Sequence, residues 1–217
     1  MEKDFLPEEF DWRKKCQLSP VLSQGKCENC WLLSIASCIK DTFLIKSNGK
    51  RSLNIDLHAL GNLIKAGHGD FCMGGSRVPD SLQKLEEYGC STKDGSRYYP
   101  KIYHLTEGDI IEYILKNNGP IITTMYIYDH LPDDMNLRNY KEGVYGDGWY
   151  DQIDNEPQDG DEYHCVCIVG WGQNKNGTKY WIVRNTWGKC YGEDGYFKIV
   201  RDVNFCKIEE KMFSILI

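Results

Sequence analysis

The sequence predicts an α+β protein of two lobes, and three observations point there. Segments with apolar residues at helical spacing crowd the first half of the chain. Runs of β-branched and aromatic residues, parted by Gly and Asn turns, fill the second half. The length, 217 residues, suffices for one domain or two tightly joined lobes around a real core.

The first helix is expected over 30–46, where Leu32, Ile35, Ala36, Ile39 and Phe43 fall on helical spacing. Two more are expected over 54–66 and 80–88, the latter closed by Gly89 as a C-cap. A fourth runs from about Thr106 to Asn118. Thr106 with Asp109 resembles a capping box, and Gly119-Pro120 supplies the stop. Strands are expected over 120–128, 163–170, 180–184, 195–200 and 212–217. A cleft would lie where the lobes meet, the usual place for a site.

The segment from Gly146 to Glu162 interrupts the strands with seven carboxylates and no base: Asp147, Asp151, Asp154, Glu156, Asp159, Asp161 and Glu162. The plain reading is a solvated surface loop. Its place directly before His164 leaves a part in a site open.

Composition narrows the function classes. Hydrophobic residues at 41% with 14 Tyr and 6 Trp argue for a packed core and against disorder. A net charge of -6 argues against a general nucleic-acid binder, whose phosphate contacts need a basic surface. No apolar run is long enough to span a bilayer. Met1-Glu2-Lys3-Asp4 lacks the apolar core of a signal peptide, which leaves synthesis without a leader or a mature form carrying an added methionine. Ten cysteines fall short of a disulfide scaffold, and a mixture of bridges and free thiols is expected.

The chemistry is concentrated in Gln24-Gly25-Lys26-Cys27-Glu28-Asn29-Cys30-Trp31, which opens the first helix. A thiol at a helix N-terminus sits at the positive end of the peptide dipoles, and a nearby imidazole would further favour the nucleophilic thiolate. Taken alone, Cys27-x-x-Cys30 is also compatible with a metal ligand pair, redox chemistry or a structural bridge.

The pattern Gln-Gly-x-Cys-x-x-Cys-Trp resembles the nucleophile signature of papain and the cathepsins, a family that places a His and an Asn roughly 130–150 residues downstream. His164 stands in Tyr-His-Cys-Val-Cys-Ile-Val-Gly-Trp-Gly and Asn185 in Tyr-Trp-Ile-Val-Arg-Asn-Thr-Trp-Gly, similar to the family's two strands. Leu6-Pro7, Phe10-Asp11-Trp12-Arg13, Cys72-Met73-Gly74-Gly75 and Gly192-Glu193-Asp194-Gly195-Tyr196 extend the similarity over nearly the whole chain. The resemblance implies a papain-like fold with an antiparallel, barrel-like second lobe. It also implies one catalytic domain over 1–217, with about 16–104 as the helical lobe and 1–15 with 105–217 as the β-rich lobe.

The implied activity is that of a cysteine endopeptidase working through an acyl-enzyme. Cys30 would attack the carbonyl, His164 would act as acid and base, and Asn185 would orient the imidazole. Gln24 would join the Cys30 backbone N–H in an oxyanion hole, and Trp187 would shield the His164–Asn185 bond. Gly74 and Gly75 would pair with an extended substrate. Cys165 and Lys211 would line the pocket for the second residue before the scissile bond. The same resemblance implies a Cys27–Cys72 bridge, no cofactor, no metal, a monomer, and a propeptide or cystatin-like inhibitors as partners beside peptide substrates. It also implies a lysosomal, endosomal or secreted setting, where Asn176-Gly177-Thr178 could accept a glycan.

Several residues depart from the family pattern. Ser76-Arg77 replace a common aromatic and proline. Lys211 would disfavour a basic side chain in its pocket, unless it snorkels to solvent. Glu28 stands where the family usually has glycine, and could favour a basic residue before the scissile bond or narrow the cleft. The similarity leans toward cathepsin B, yet its occluding loop with paired histidines has no counterpart between Gly89 and Thr106, which disfavours carboxydipeptidase activity. His58, His68, His104 and His130 read as surface or structural. The rival readings are an inactive binding protein on the same fold, a dithiol oxidoreductase and a zinc site.

Overall fold

The computed structural model describes residues 6–65, 70–106 and 111–216. In chain order the helices are α1 (Trp12–Lys15), α2 (Cys30–Lys46), α3 (Leu57–Ile64), α4 (Val78–Tyr88) and α5 (Ile111–Asn118). The strands are β1 (Phe10–Asp11), β2 (Cys90–Ser91), β3 (Arg97–Tyr98), β4 (Lys101–His104), β5 (Ile121–Ile127), β6 (Glu162–Gln173), β7 (Lys179–Arg184), β8 (Tyr196–Val200) and β9 (Met212–Leu216). One antiparallel sheet runs β4-β9-β5-β6-β7-β8, with β1 added beside β6; β2 and β3 form a separate hairpin.

α2 has the predicted bounds, but not the one-sided character its spacing suggests. Every residue from Cys30 to Ile39 is buried, because the helix lies between the sheet and α3. α3 starts at Leu57, after Asp56 caps it by accepting from Ala59 N at 3.0 Å. α4 starts two residues before its predicted bound, at Val78, and Gly89 closes it at φ 70°. Asp109 of the expected capping box lies outside the described residues, as does His68.

β5 and β6 are buried on both faces, which explains why apolar residues occupy both faces of each strand. Alternation sends Ile122, Cys165 and Cys167 into the core around α2, and Ile121, Val166 and Ile168 into the core on the far side. The two cores therefore share a wall. Burying one such Leu or Ile side chain contributes roughly 1.5–3 kcal/mol.

A charged tie also joins α2 to β7. Arg184 Nη1 lies 2.6 Å from Asp41 Oδ2, with both side chains almost fully buried. Ser19 N–H donates to Asp41 Oδ1 at 2.7 Å, and Ser19 O accepts from Arg184 Nη2 at 3.0 Å. Burial pushes the Asp41 carboxyl up, against the pull of Arg184.

The acidic segment is only partly the solvated loop its composition suggests. Asp151, Asp154, Glu156 and Asp159 are exposed. Asp147, however, accepts from Asn174 Nδ2 and Thr178 Oγ1, and Asp161 receives His130 Nδ1 at 2.9 Å. Glu162 has become the first residue of β6.

Candidate active site

Cys30 is the first residue of α2, with Asn29 at the N-cap position. Cys30 shares a cavity wall with Cys165, the strand residue following His164. The wholly buried His164 is held from the other side: its Nε2 lies 2.8 Å from Asn185 Oδ1. That same oxygen accepts the Thr186 backbone N–H at 2.7 Å. An N–H can only donate, so the Asn185 atom is the amide oxygen and His164 Nε2 must carry a proton. The neutral ring then has its lone pair on Nδ1, which is buried without a hydrogen-bond partner among the described residues. Trp187 covers the assembly, its ring 5.0 Å from that of His164.

Gln24 is fixed by its neighbours. Its Oε1 accepts the Thr186 hydroxyl at 2.6 Å, and its Nε2 donates to Cys27 O at 2.9 Å. The amide orientation follows, and one Nε2 hydrogen remains available. The Cys27–Cys72 bridge is present, and Glu28 N–H donates to Cys72 O at 2.9 Å, setting the loop before α2.

Burial dominates the electrostatics of the pair. It raises the Cys30 thiol above its ordinary value, opposed by the N–H groups of Cys165 and Trp31, with the Glu162 carboxylate raising it further. Burial likewise lowers His164, opposed by the bond to Asn185.

Two adjoining cavities lie at this end of α2, and Cys30 lines the first. One, of about 670 Å³, runs along Cys30, Gly74, Gly75, Arg77, Tyr163 and Cys165. The other, of about 390 Å³, includes Gln24, Lys26, Arg138 and Trp187. Glu28 and Glu162 belong to both, so they mark the waist between them. Gly74 and Gly75 have φ of 69° and 52°, a left-handed backbone that disfavours side chains. A Cβ on either would meet nothing within 4 Å, leaving this wall open to an approaching chain.

Cys30, His164, Asn185, Gln24 and Trp187 are brought together, with Glu28, Gly74, Gly75 and Cys165 along the cleft. Lys211 is not among the cleft residues. Its side chain is 44% exposed, with Nζ over the Tyr163 ring at 5.6 Å, so Tyr163 stands between it and the cavity.

Sequence reasoning missed Arg138, which donates to Asp129 through Nε at 2.7 Å and Nη2 at 2.9 Å, pairs with Glu162, and lies over Trp187. That hydrogen bond holds the Asp129 carboxyl below its ordinary range, against burial. Nothing local in sequence announced Arg138 or Asp129. Thr186 and Glu162 could have been found from their adjacency to Asn185 and His164.

Comparison with known proteins identifies the family. The profile of the family described as "Papain family cysteine protease" matches residues 6–100 and 79–216. The chain is 32% identical to a viral cathepsin of Cydia pomonella granulosis virus, over 93% of this chain and 60% of that protein. It is 30% identical to procathepsin L of Rattus norvegicus, over 92% of this chain and 62% of that protein. The chain thus spans about three fifths of the length of these two relatives. Procathepsin B S9 from Trypanosoma congolense superposes with a TM-score of 0.74 at 27% identity, covering 98% of this chain and 78% of that one. A digestive procathepsin L2 from Tenebrio molitor gives 0.78 at 24% identity, covering 100% and 70%, a likeness of fold.

Proposed function

Since this chain belongs to the papain family of cysteine proteases, we propose that it hydrolyses peptide bonds with Cys30 as nucleophile and His164 as acid and base. Proton transfer from Cys30 to the bare Nδ1 of His164 would create the thiolate–imidazolium pair. Each group alone is held neutral by burial, so the proton exchange pairs the charges rather than leaving one isolated. The sulfur attacks the carbonyl carbon, and the oxyanion takes the Cys30 N–H and the free Gln24 N–H. His164 Nδ1 then protonates the departing amine, and water later hydrolyses the thioester with His164 as base. Asn185 keeps the ring in register through both steps.

The observation carrying this reading is the Asn185 Oδ1–His164 Nε2 bond, with Cys30 lining a cavity together with Cys165, the residue after His164. Endopeptidase action is favoured because none of residues 89–106, where an occluding loop would sit, lines the Cys30 cavity or the one adjoining it. We extend to this chain peptide or protein substrates, a monomeric state, a propeptide or cystatin-like inhibitor as partner, and a lysosomal, endosomal or secreted setting. No helix among the described residues is long and apolar enough to cross a membrane.

Active-site titration with an epoxide or fluoromethylketone, on wild type and Cys30→Ala, tests the proposal. One equivalent incorporated by wild type alone, with parallel loss of peptidase activity, supports it. Absence of labelling and hydrolysis favours the second reading, an inactive binding protein on this fold. That reading draws on the burial and the Glu162 charge that raise the Cys30 thiol.

A further inference from the structure

We propose that Glu28 selects substrates with arginine or lysine as the residue supplying the attacked carbonyl. This rests on the reading of Cys30 as nucleophile and goes beyond it by naming a substrate class. Among the described residues, only Glu28 and Glu162 border both cavities, and Glu28 shares the first of them with Cys30, where the cleaved bond would lie. The two carboxylates are not equivalent. Glu162 is ion-paired with Arg138, which it shares with Asp129, whereas Glu28 has no such partner among the described residues. Asp161, deeper in the same wall, is held by His130. The Glu28 carboxylate makes no ion pair or hydrogen bond among the described residues, and its residue is exposed.

The chain around Glu28 is nonetheless fixed. Its backbone N–H is bonded to Cys72 O, beside the Cys27–Cys72 bridge, so the side chain projects from an anchored point. In the same lining stand Gly74 and Gly75, two and three residues past Cys72, with open space where a Cβ would be. A substrate backbone laid on those glycines, with its carbonyl on Cys30, sends the preceding side chain along the Glu28 wall. Arg77 is the base in that cavity's lining, but it is turned outward, 83% exposed and 3.7 Å from Asp80. Lys26 and Arg138 lie in the other cavity. The side holding the acyl residue therefore has an unpaired negative charge facing it.

The test compares kcat/KM for peptides identical except for arginine or its uncharged near-isostere citrulline before the scissile bond. Wild type, Glu28→Gln and Glu28→Gly are measured at low and high salt, each titrated for active sites. Arginine is expected to win by up to about fivefold in wild type, the discrimination one exposed ion pair supports. The preference should shrink with salt and fall to near unity in both variants, with titratable sites unchanged. Equal rates for the two peptides in wild type, or a preference surviving in Glu28→Gln, would overturn the proposal while leaving proteolysis standing. Wild type that neither labels nor cleaves would overturn both.

Discussion

The Thr186 hydroxyl donates to Gln24 Oε1 at 2.6 Å, while the Thr186 N–H holds Asn185 Oδ1 at 2.7 Å. One residue thus fixes the proposed oxyanion donor and the partner of the imidazole. Removing the hydroxyl in Thr186→Val should free the Gln24 amide without disturbing the backbone bond. A net hydrogen bond of about 0.5–1.5 kcal/mol translates to a fall in kcat of about 2- to 13-fold. Gln24→Ala should cost about 100- to 1,000-fold in kcat, with KM little changed. Steady-state kinetics on both variants checks the order; equal losses would show that Thr186 acts by another route.

Buried His164 makes stability depend on pH. Its folded value is lowered, so the unfolded chain takes up a proton first as pH falls below about 6.5, the ordinary value. The contribution is full above that pH and is lost progressively below it. Thermal melts from pH 8 to pH 5 should show wild type losing more stability than His164→Gln. Parallel curves would mean that His164 does not carry the dependence.

Asp41 and Arg184 sit with side-chain exposures of 1% and 3%. Asp41→Ala leaves the guanidinium buried without its counter-charge, which costs about 3–5 kcal/mol. For a chain of this size the melting temperature should drop by about 6–20 °C. Replacing both residues together, Asp41→Leu with Arg184→Met, should recover much of the loss. A double mutant as unstable as the single one would show that the pair's other hydrogen bonds matter more than its charge.

The Cys27–Cys72 bridge closes a sequence separation of 45. Chain-entropy reasoning assigns such a loop about 4 kcal/mol. Cys72→Ser should lower denaturant stability by about 2–4 kcal/mol. It should also weaken any preference set by Glu28, whose backbone depends on Cys72 O. Urea titration, with arginine and citrulline peptides in parallel, reads both effects.

The main elements were legible because their patterns are local. α2 runs over Cys30–Lys46 as its apolar spacing requires, and β5 falls within one residue of its expected ends. β6 runs on to Gln173, past its expected end at 170. A Cβ on Gly170 would lie 2.3 Å from Phe10 O, so this glycine admits β1 beside it. That partner is remote in sequence, and no local pattern reveals it. β4 was missed because its residues are mostly exposed and lack alternation. At the site, Cys30, Gln24, His164 and Asn185 could be read from motifs. Arg138, Asp129 and the inward carboxylates required the fold, since their partners lie in other loops. Lys211 was aligned to a pocket floor by analogy, and Tyr163 separates it from the cavity.

Cysteine placement has a further consequence for handling the folded molecule. Cys38, Cys90, Cys165, Cys167 and Cys206 are buried free thiols, whereas Cys190 is exposed and Cys16 half-buried. An alkylating reagent would meet Cys190 and Cys16 through access and Cys30 through reactivity, and would reach the interior sulfurs only when the chain opens. Mass spectrometry of adducts, sampled over time, would then count opening events directly, giving the molecule an intrinsic clock for its own unfolding.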